Sequence, residues 1–213
     1  MAIAPLFQIG PRIAGSVLGS PYQHYRPATA NNPLASGNLV GTLPAWITAD
    51  EDGRGRKSNN YGKPVWYGLF DPAAAAVGDY LVGPLGTFFV AGLNVPMPLQ
   101  LIQCNRVLVA TNPATLSTFG PTTTYGSDQR ATESVVASAW PASVVQGTKA
   151  HTGDTRLPAD VEMAWASILL PAIPGVMLRN NMVLTDELGQ RRIISSAELT
   201  SLGWRLTTLL ATT

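Results

Sequence analysis

Apolar and polar positions alternate in short runs that turn residues separate, and this pattern predicts β-strands. The clearest case is a hairpin pattern that occurs twice, at residues 79–91 and 182–194. Each copy has a short apolar strand, a turn that closes with Leu-Gly, and a second apolar strand. Gly86 and Gly189 occupy the turn position that favours positive φ. A further strand pattern follows each copy, at residues 104–110 and 204–210. We therefore predict two small antiparallel units.

The N-terminal residues carry a different, helical spacing of apolar positions. These positions are Ile9, Ile13, Val17 and Leu18. Pro11 suits the start of a helix and Gly19 suits its end, so we predict a helix over residues 9–19. A helix this short is marginal alone and is expected to dock its Ile13 and Val17 face.

The fold class that follows is mainly β, with two barrel- or sandwich-like units, a short N-terminal helix and an extended arm. The predicted division of the chain is a helix, arm and exposed loop over 1–63, a first β unit over 64–111, a linker or long loop over 112–133, and a second β unit over 134–213. The polar stretch 50–60 is expected to form the exposed loop.

Residues 1–35 are predicted to act as an arm between subunits. The aromatic and basic side chains of this segment suit an interface, and we assign Tyr22, His24, Tyr25 and Arg26 to it. The alternative is that the helix caps the barrel of its own chain.

Composition favours an assembled protein. Charged residues make up 13% of the 213-residue chain, about half the usual share, while hydrophobic residues make up 46%. A surface with so few charges suits a subunit that neighbours cover. The net charge of +1 indicates at most weak, non-specific contact with DNA. No segment has the length of apolar chain that a membrane-spanning helix needs, so we expect no membrane contact.

No pattern of catalytic or metal-binding residues emerges. The two histidines, His24 and His151, lack partners at ligand spacing, and the single Cys104 lies in an apolar strand pattern. The acidic run at 50–53 fails as a calcium loop because Asn59 stands where a carboxylate is needed. We expect no cofactor, no metal and no enzymatic activity.

Several stretches resemble virion structural proteins of tailed bacteriophages, in the head–tail connector, neck or tail group. They are LGSPY at 18–22, YRP at 25–27, YGKPVWYGLFD at 61–71, VGDYLV at 77–82, GTFFVA at 86–91 and LTDELGQRRIISSAELTSLGWRL at 184–206. The resemblance covers most of the chain, and its motifs are turns and strands rather than reactive groups.

The resemblance implies a structural role in the virion. The leading expectation is a homo-oligomeric ring at the head–tail junction, in contact with the portal or with neighbouring neck or tail proteins. The first alternative is a tail tube, nozzle or fibre-attachment protein, and the second is a tail-associated hydrolase. The resemblance carries over no catalytic residue.

Overall fold

In the part of the chain that the structure describes, the alternating pattern folds into twelve strands that close into two six-stranded barrels. The structure is a computed structural model that describes residues 4–49, 63–93, 98–113, 133–147 and 165–211. The helix α1 spans Ala4–Leu18, and the strands are β1 Ser20–Tyr25, β2 Leu39–Thr48, β3 Val65–Leu69, β4 Tyr80–Gly83, β5 Gly86–Gly92, β6 Leu99–Cys104, β7 Arg106–Asn112, β8 Ser134–Gln146, β9 Trp165–Leu170, β10 Val183–Asp186, β11 Arg191–Thr200 and β12 Gly203–Leu210. The predicted fold class, mainly β with two barrel-like units and an N-terminal helix, is confirmed.

Both barrels are antiparallel and have the same strand order. The strand order is β1-β2-β3-β6-β5-β4 in barrel 1. In barrel 2 it is β7-β8-β9-β12-β11-β10, which is the corresponding order. In each barrel the first strand also pairs with the fourth, so the described strands leave no open sheet edge.

The two barrels also share most of their register, although the β7–β8 pair has two irregularities where the β1–β2 pair has one. Pro44 in β2 and Pro141 in β8 stand at the same position relative to the first strand of each barrel. The β5–β6 pair has a bulge between Val90 and Gly92, and the β11–β12 pair has one between Ile194 and Ser196. The hairpin pattern that repeats in the sequence is therefore one part of a barrel-sized repeat.

Side chains fill the interior of each barrel. The core of barrel 1 includes Tyr22, Leu43, Leu81, Phe88 and Leu101. The second core is larger, because the outward face of barrel 1 packs against barrel 2 and adds to it. That packing explains why β5 reads as a continuous apolar run: Phe88 and Val90 point into barrel 1, while Phe89 and Ala91 join the second core.

The boundary between the two units differs from the predicted one. Barrel 1 takes its strands from residues 20–104, and barrel 2 from residues 106–210. The pattern at 104–110 is mainly β7, which opens barrel 2 rather than completing the first unit. Asn105 is the one residue between β6 of barrel 1 and β7 of barrel 2. Its side chain is fixed to barrel 2, because it donates to the Val144 carbonyl (2.9 Å) and accepts from the Val144 amide (2.8 Å). Residues 114–132 of the predicted linker lie outside the described residues. The whole predicted loop at 50–60 lies outside them as well.

The helix is longer than predicted and docks by another face. It begins at Ala4, so Pro11 lies inside it, and it ends at Leu18 just before the predicted stop at Gly19. Gly15 faces barrel 1, where an added Cβ would lie 2.7 Å from the Leu69 carbonyl oxygen and 3.0 Å from that of Pro44. Ile13 and Val17, which were expected to dock, are 56% and 73% exposed.

The arm prediction also needs correction. Ser20–Tyr25 is β1, a strand of barrel 1 that pairs with both β2 and β4. In the structure Pro21 is the second residue of β1, and the rest of the strand supplies the donors.

The two turn glycines have the predicted backbone geometry, with φ of +112° at Gly86 and +77° at Gly189. We expect Gly86→Ala and Gly189→Ala each to lower the free energy of unfolding by about 1–2 kcal/mol, because a Cβ is strained at positive φ. Urea unfolding measures this. Gly37→Ala is the control, since Gly37 has open space around it and no positive φ. Equal stabilities for all three variants would contradict the turn geometry.

Candidate functional site

Tyr22 and His24, two of the four residues assigned to an interface, lie inside barrel 1. The ring of Tyr22 is 1% exposed and lies against Gly83, where a Cβ would approach it to 2.4 Å. Burial raises the pKa of its hydroxyl. His24 is 3% exposed. The interface assignment stays a prediction for Tyr25 and Arg26.

His24 and Arg26 converge on a buried carboxylate, Asp79, which lies just before β4. Nε2 of His24 donates to Oδ2 of Asp79 at 2.6 Å. Arg26 donates from Nε to Oδ1 at 3.0 Å and from Nη2 to Oδ2 at 2.7 Å. The amide of Ala76 donates to Oδ2 at 2.7 Å. We call His24, Arg26 and Asp79 the Asp79 cluster.

The Asp79 cluster keeps its carboxylate ionised. Burial on its own raises the pKa of Asp79, but the hydrogen bonds from His24, Arg26 and Ala76 outweigh it and hold the pKa below the usual 3.8. The same pairing raises the pKa of the Arg26 guanidinium. The carboxylate is therefore a fixed negative charge that ties β1 to the loop before β4.

The contacts of this cluster hold the fold together. Oδ2 of Asp79 accepts from His24, Arg26 and Ala76, and Oδ1 accepts from Arg26. Arg26, whose side chain is 49% exposed, also donates to the Ala74 carbonyl at 3.3 Å. Removing Asp79 would leave these donors without their shared acceptor.

Asp79 was missed in the sequence because a lone carboxylate before a hairpin reads as a surface residue. The available signal is its position in VGDYLV, where apolar or small residues flank it on both sides. An acidic residue inside a buried apolar run needs a hydrogen-bonding or charged partner, and His24 and Arg26 were such partners.

The segment between β1 and β2 crosses from barrel 1 to barrel 2. The Asn32 amide donates to the Ser138 carbonyl at 2.9 Å, and the Ser138 amide donates to the Ala30 carbonyl at 3.2 Å. Nε1 of Trp140 donates to the same Ala30 carbonyl at 2.6 Å. Ala139, which lies between Ser138 and Trp140, has a φ of +57°. The predicted arm thus binds the second barrel of its own chain.

A row of five outward side chains on barrel 1 forms the main contact with barrel 2. They are register partners across five strands, and we call them the docked row: Tyr25, Tyr80, Phe89, Ile102 and Val65. The hydroxyl of Tyr80 donates to the Pro141 carbonyl at 2.7 Å, and its ring lies 6.1 Å from that of Trp140. Phe89 is 1% exposed.

A cleft of about 310 Å³ remains beside this contact. Its walls come from Val65, Phe89 and Ile102 of barrel 1 and from Leu169 and Trp204 of barrel 2, with other residues of both barrels. Nε1 of Trp204 has no hydrogen-bond partner among the described residues. The cleft is mostly apolar and brings together no group of titratable side chains.

The remaining ionisable groups include two sets of ion pairs, Arg106 with Asp186 and Glu187, and Arg191 with Glu133. Cys104 is partly buried at the end of β6, where burial raises the pKa of its thiol. Across the described ranges, no group of three or more His, Cys, Asp or Glu side chains could hold a metal ion. His151 lies outside these ranges.

Comparisons with known proteins give no relative. No family model, no curated protein and no solved structure matches the chain. In the part of the chain that the structure describes, no helix has the length and apolar character to cross a membrane.

Proposed function

We propose that this chain is a structural subunit of a tailed-phage virion, and that it forms a ring at the head–tail junction beside the portal or its neighbours. Apolar side chains exposed on the outside of the fold carry this proposal. Ile13, Val17 and Leu18 project from α1, and Ile193 projects from barrel 2. Exposed apolar surface of this kind marks contact sites for other chains.

Two further observations support a structural role. The residues that carry the resemblance build strands, turns and the α1–β1 junction. The buried charged cluster at Asp79 holds barrel 1 together.

The low net charge is also consistent with a ring through which DNA passes. With a net charge of +1 the chain has no large cationic excess to hold phosphates, so we propose weak contact that does not read sequence.

Electron microscopy of the virion tests the proposal. Gold-labelled antibody against this chain is expected to mark the head–tail junction of purified particles. Label along the tail or at its tip would favour a tube, nozzle or fibre-attachment protein instead. Particles free of label and of this chain would overturn the proposal.

A further inference from the structure

The inward face of barrel 2 carries a charged side chain where barrel 1 has an aromatic ring. Arg192 of β11 is the register partner of Leu184 in β10, which is 1% exposed in the core of barrel 2. Ile194, two residues further along β11, belongs to the same core. Because side chains two apart on a strand share a face, Arg192 points toward the inside of barrel 2. The equivalent residue of barrel 1 is Phe88, the partner of Leu81.

In barrel 1, Phe88 closes this end of the interior together with two other aromatic rings. It is fully buried, and its ring meets those of Tyr22 and Trp66 edge to face, with centroids 6.4 and 5.4 Å away. The register equivalents of Tyr22 and Trp66 in barrel 2 are Leu108 and Ala166. Barrel 2 therefore has one arginine and two aliphatic side chains where barrel 1 has three aromatic rings.

Arg192 has no counter-ion among the residues that the structure describes. Its Nη2 donates to Oε1 of Gln190, a neutral acceptor, at 3.0 Å, while its Nη1 is shielded from solvent and has no hydrogen-bond partner. The described carboxylates of barrel 2 are paired with other arginines: Asp186 and Glu187 with Arg106, Glu133 with Arg191, and Glu198 with Arg205. A shielded guanidinium nitrogen that lacks an acceptor costs free energy, so this position favours a carboxylate from another chain.

Exposed apolar side chains lie at the same end of barrel 2. Leu188, in the turn that leads into β11, is 62% exposed, and Val107, at the start of β7, is 40% exposed. The turn and β7 meet here, since the Val107 amide donates to Oε2 of Glu187 at 2.7 Å. Arg192 is itself partly exposed, so an incoming side chain can reach its guanidinium. We call Val107, Leu188 and Arg192 the arginine end.

The far end of β11 carries the complementary set. The side chain of Glu198 is 59% exposed, whereas the other carboxylates in the described ion pairs are 40% exposed or less. Glu198 lies 3.7 Å from Arg205, which is also exposed, and such a surface pair contributes little stability. Leu199, the next residue, is 48% exposed. We call Glu198 and Leu199 the glutamate end, which lies about 20 Å along the strand from Arg192.

We propose that the arginine end of one copy binds the glutamate end of the next copy, so that Glu198 supplies the carboxylate that Arg192 lacks. The charges are complementary, and one carboxylate accepts from two guanidinium nitrogens at once. Because the two ends are different surfaces of the same chain, the contact is heterologous and closes into a ring when its rotation closes. This inference rests on the proposed function and names the surfaces that join the ring.

Charge reversal at the two ends tests the pairing in the full chain. We expect Arg192→Glu and Glu198→Arg each to weaken self-association by at least about tenfold, because like charges then meet at the contact. Arg179→Glu, which reverses an exposed arginine before β10, is the control and should assemble like the wild type. Sedimentation velocity measures the masses, and thermal melting checks that each variant is folded.

A mixture of the two charge-reversed variants is the decisive sample. Neither variant pairs with itself, but in the mixture every contact between unlike copies joins a glutamate to an arginine. We expect the mixture to recover the larger species that each variant alone has lost. A mixture that stays monomeric while the wild type assembles would overturn the pairing, as would a wild-type chain that stays monomeric at high concentration.

The stability of the monomer tests whether Arg192 is unpaired within its own chain. We expect Arg192→Met to melt no lower than the wild type where both are monomeric, because no ion pair is lost. A lower melting temperature would show that the chain's own residues pair with Arg192 and would overturn the proposal. Label at the head–tail junction together with any contrary result would leave the proposed function standing and this contact wrong.

Discussion

Asp79→Asn is expected to destabilise the protein by about 3–5 kcal/mol, with a fall in Tm of roughly 10 °C. The substitution keeps the size of the side chain but removes the buried negative charge that pairs with Arg26 and accepts hydrogen bonds from His24 and Ala76. Thermal and urea unfolding of the full chain measure the loss. Asp71→Asn is the control, because Asp71 is more exposed and its ion pair with Arg12 is long, at 3.7 Å. We expect less than about 1 kcal/mol there.

The pH dependence of stability separates this electrostatic effect from a packing defect. Because the pKa of Asp79 is lower in the folded chain than the usual 3.8, its contribution is complete above that pH and is lost as the pH falls through the lowered value. The stability difference between wild type and Asp79→Asn should therefore shrink in acid. A difference that stays constant down to pH 2 would contradict the role of the charge.

Deletion of residues 1–35 is expected to abolish cooperative folding of barrel 1. It removes β1, the strand that pairs with β2 and β4 and closes the barrel. It also removes Tyr22 from the core, a loss of about 3–5 kcal/mol for a large buried aromatic side chain, and it removes His24 and Arg26, the side-chain hydrogen-bond donors of Asp79. Circular dichroism and proteolysis of the truncated chain measure the effect.

Deletion of residues 1–18 is the matched control, because it removes α1 and leaves all twelve strands. We expect this chain to keep a cooperative melting transition. If deletion of residues 1–35 left the melting curve of barrel 1 intact, β1 would not belong to the barrel and the original arm hypothesis would regain support.

The local elements could be predicted because their signals lie within a few residues. The turns at Gly86 and Gly189 need positive φ, and the flanking strands alternate, so both hairpins were correctly placed. The strand β1 was missed because its sequence, SPYQHY, mixes polar and aromatic residues around a proline and reads as extended arm.

The boundary at Asn105 could not be predicted because the apolar pattern continues through it. A strand that leaves one barrel and a strand that enters the next differ in their partners, and partners lie far away in sequence. The start of α1 was also predicted wrongly. Proline is common at the first position of a helix, but Pro11 lies inside α1, which begins at Ala4.

The site was predicted in part. His24 and Arg26 were identified, but their assignment to an interface overlooked Asp79, which lies more than fifty residues along the chain. Ile193, Leu209 and Val183 could not be grouped from the sequence, because only the strand register brings them side by side.

The most direct test of the account is a cryo-electron microscopy map of the assembled ring. The account predicts a closed ring of this chain between portal and tail, with two six-stranded barrels in every subunit. It also predicts that the exposed apolar side chains of Ile13, Val17 and Ile193 lie at contacts with neighbouring chains. A map that shows no ring of this chain at the junction, or in which these side chains face solvent, would contradict it.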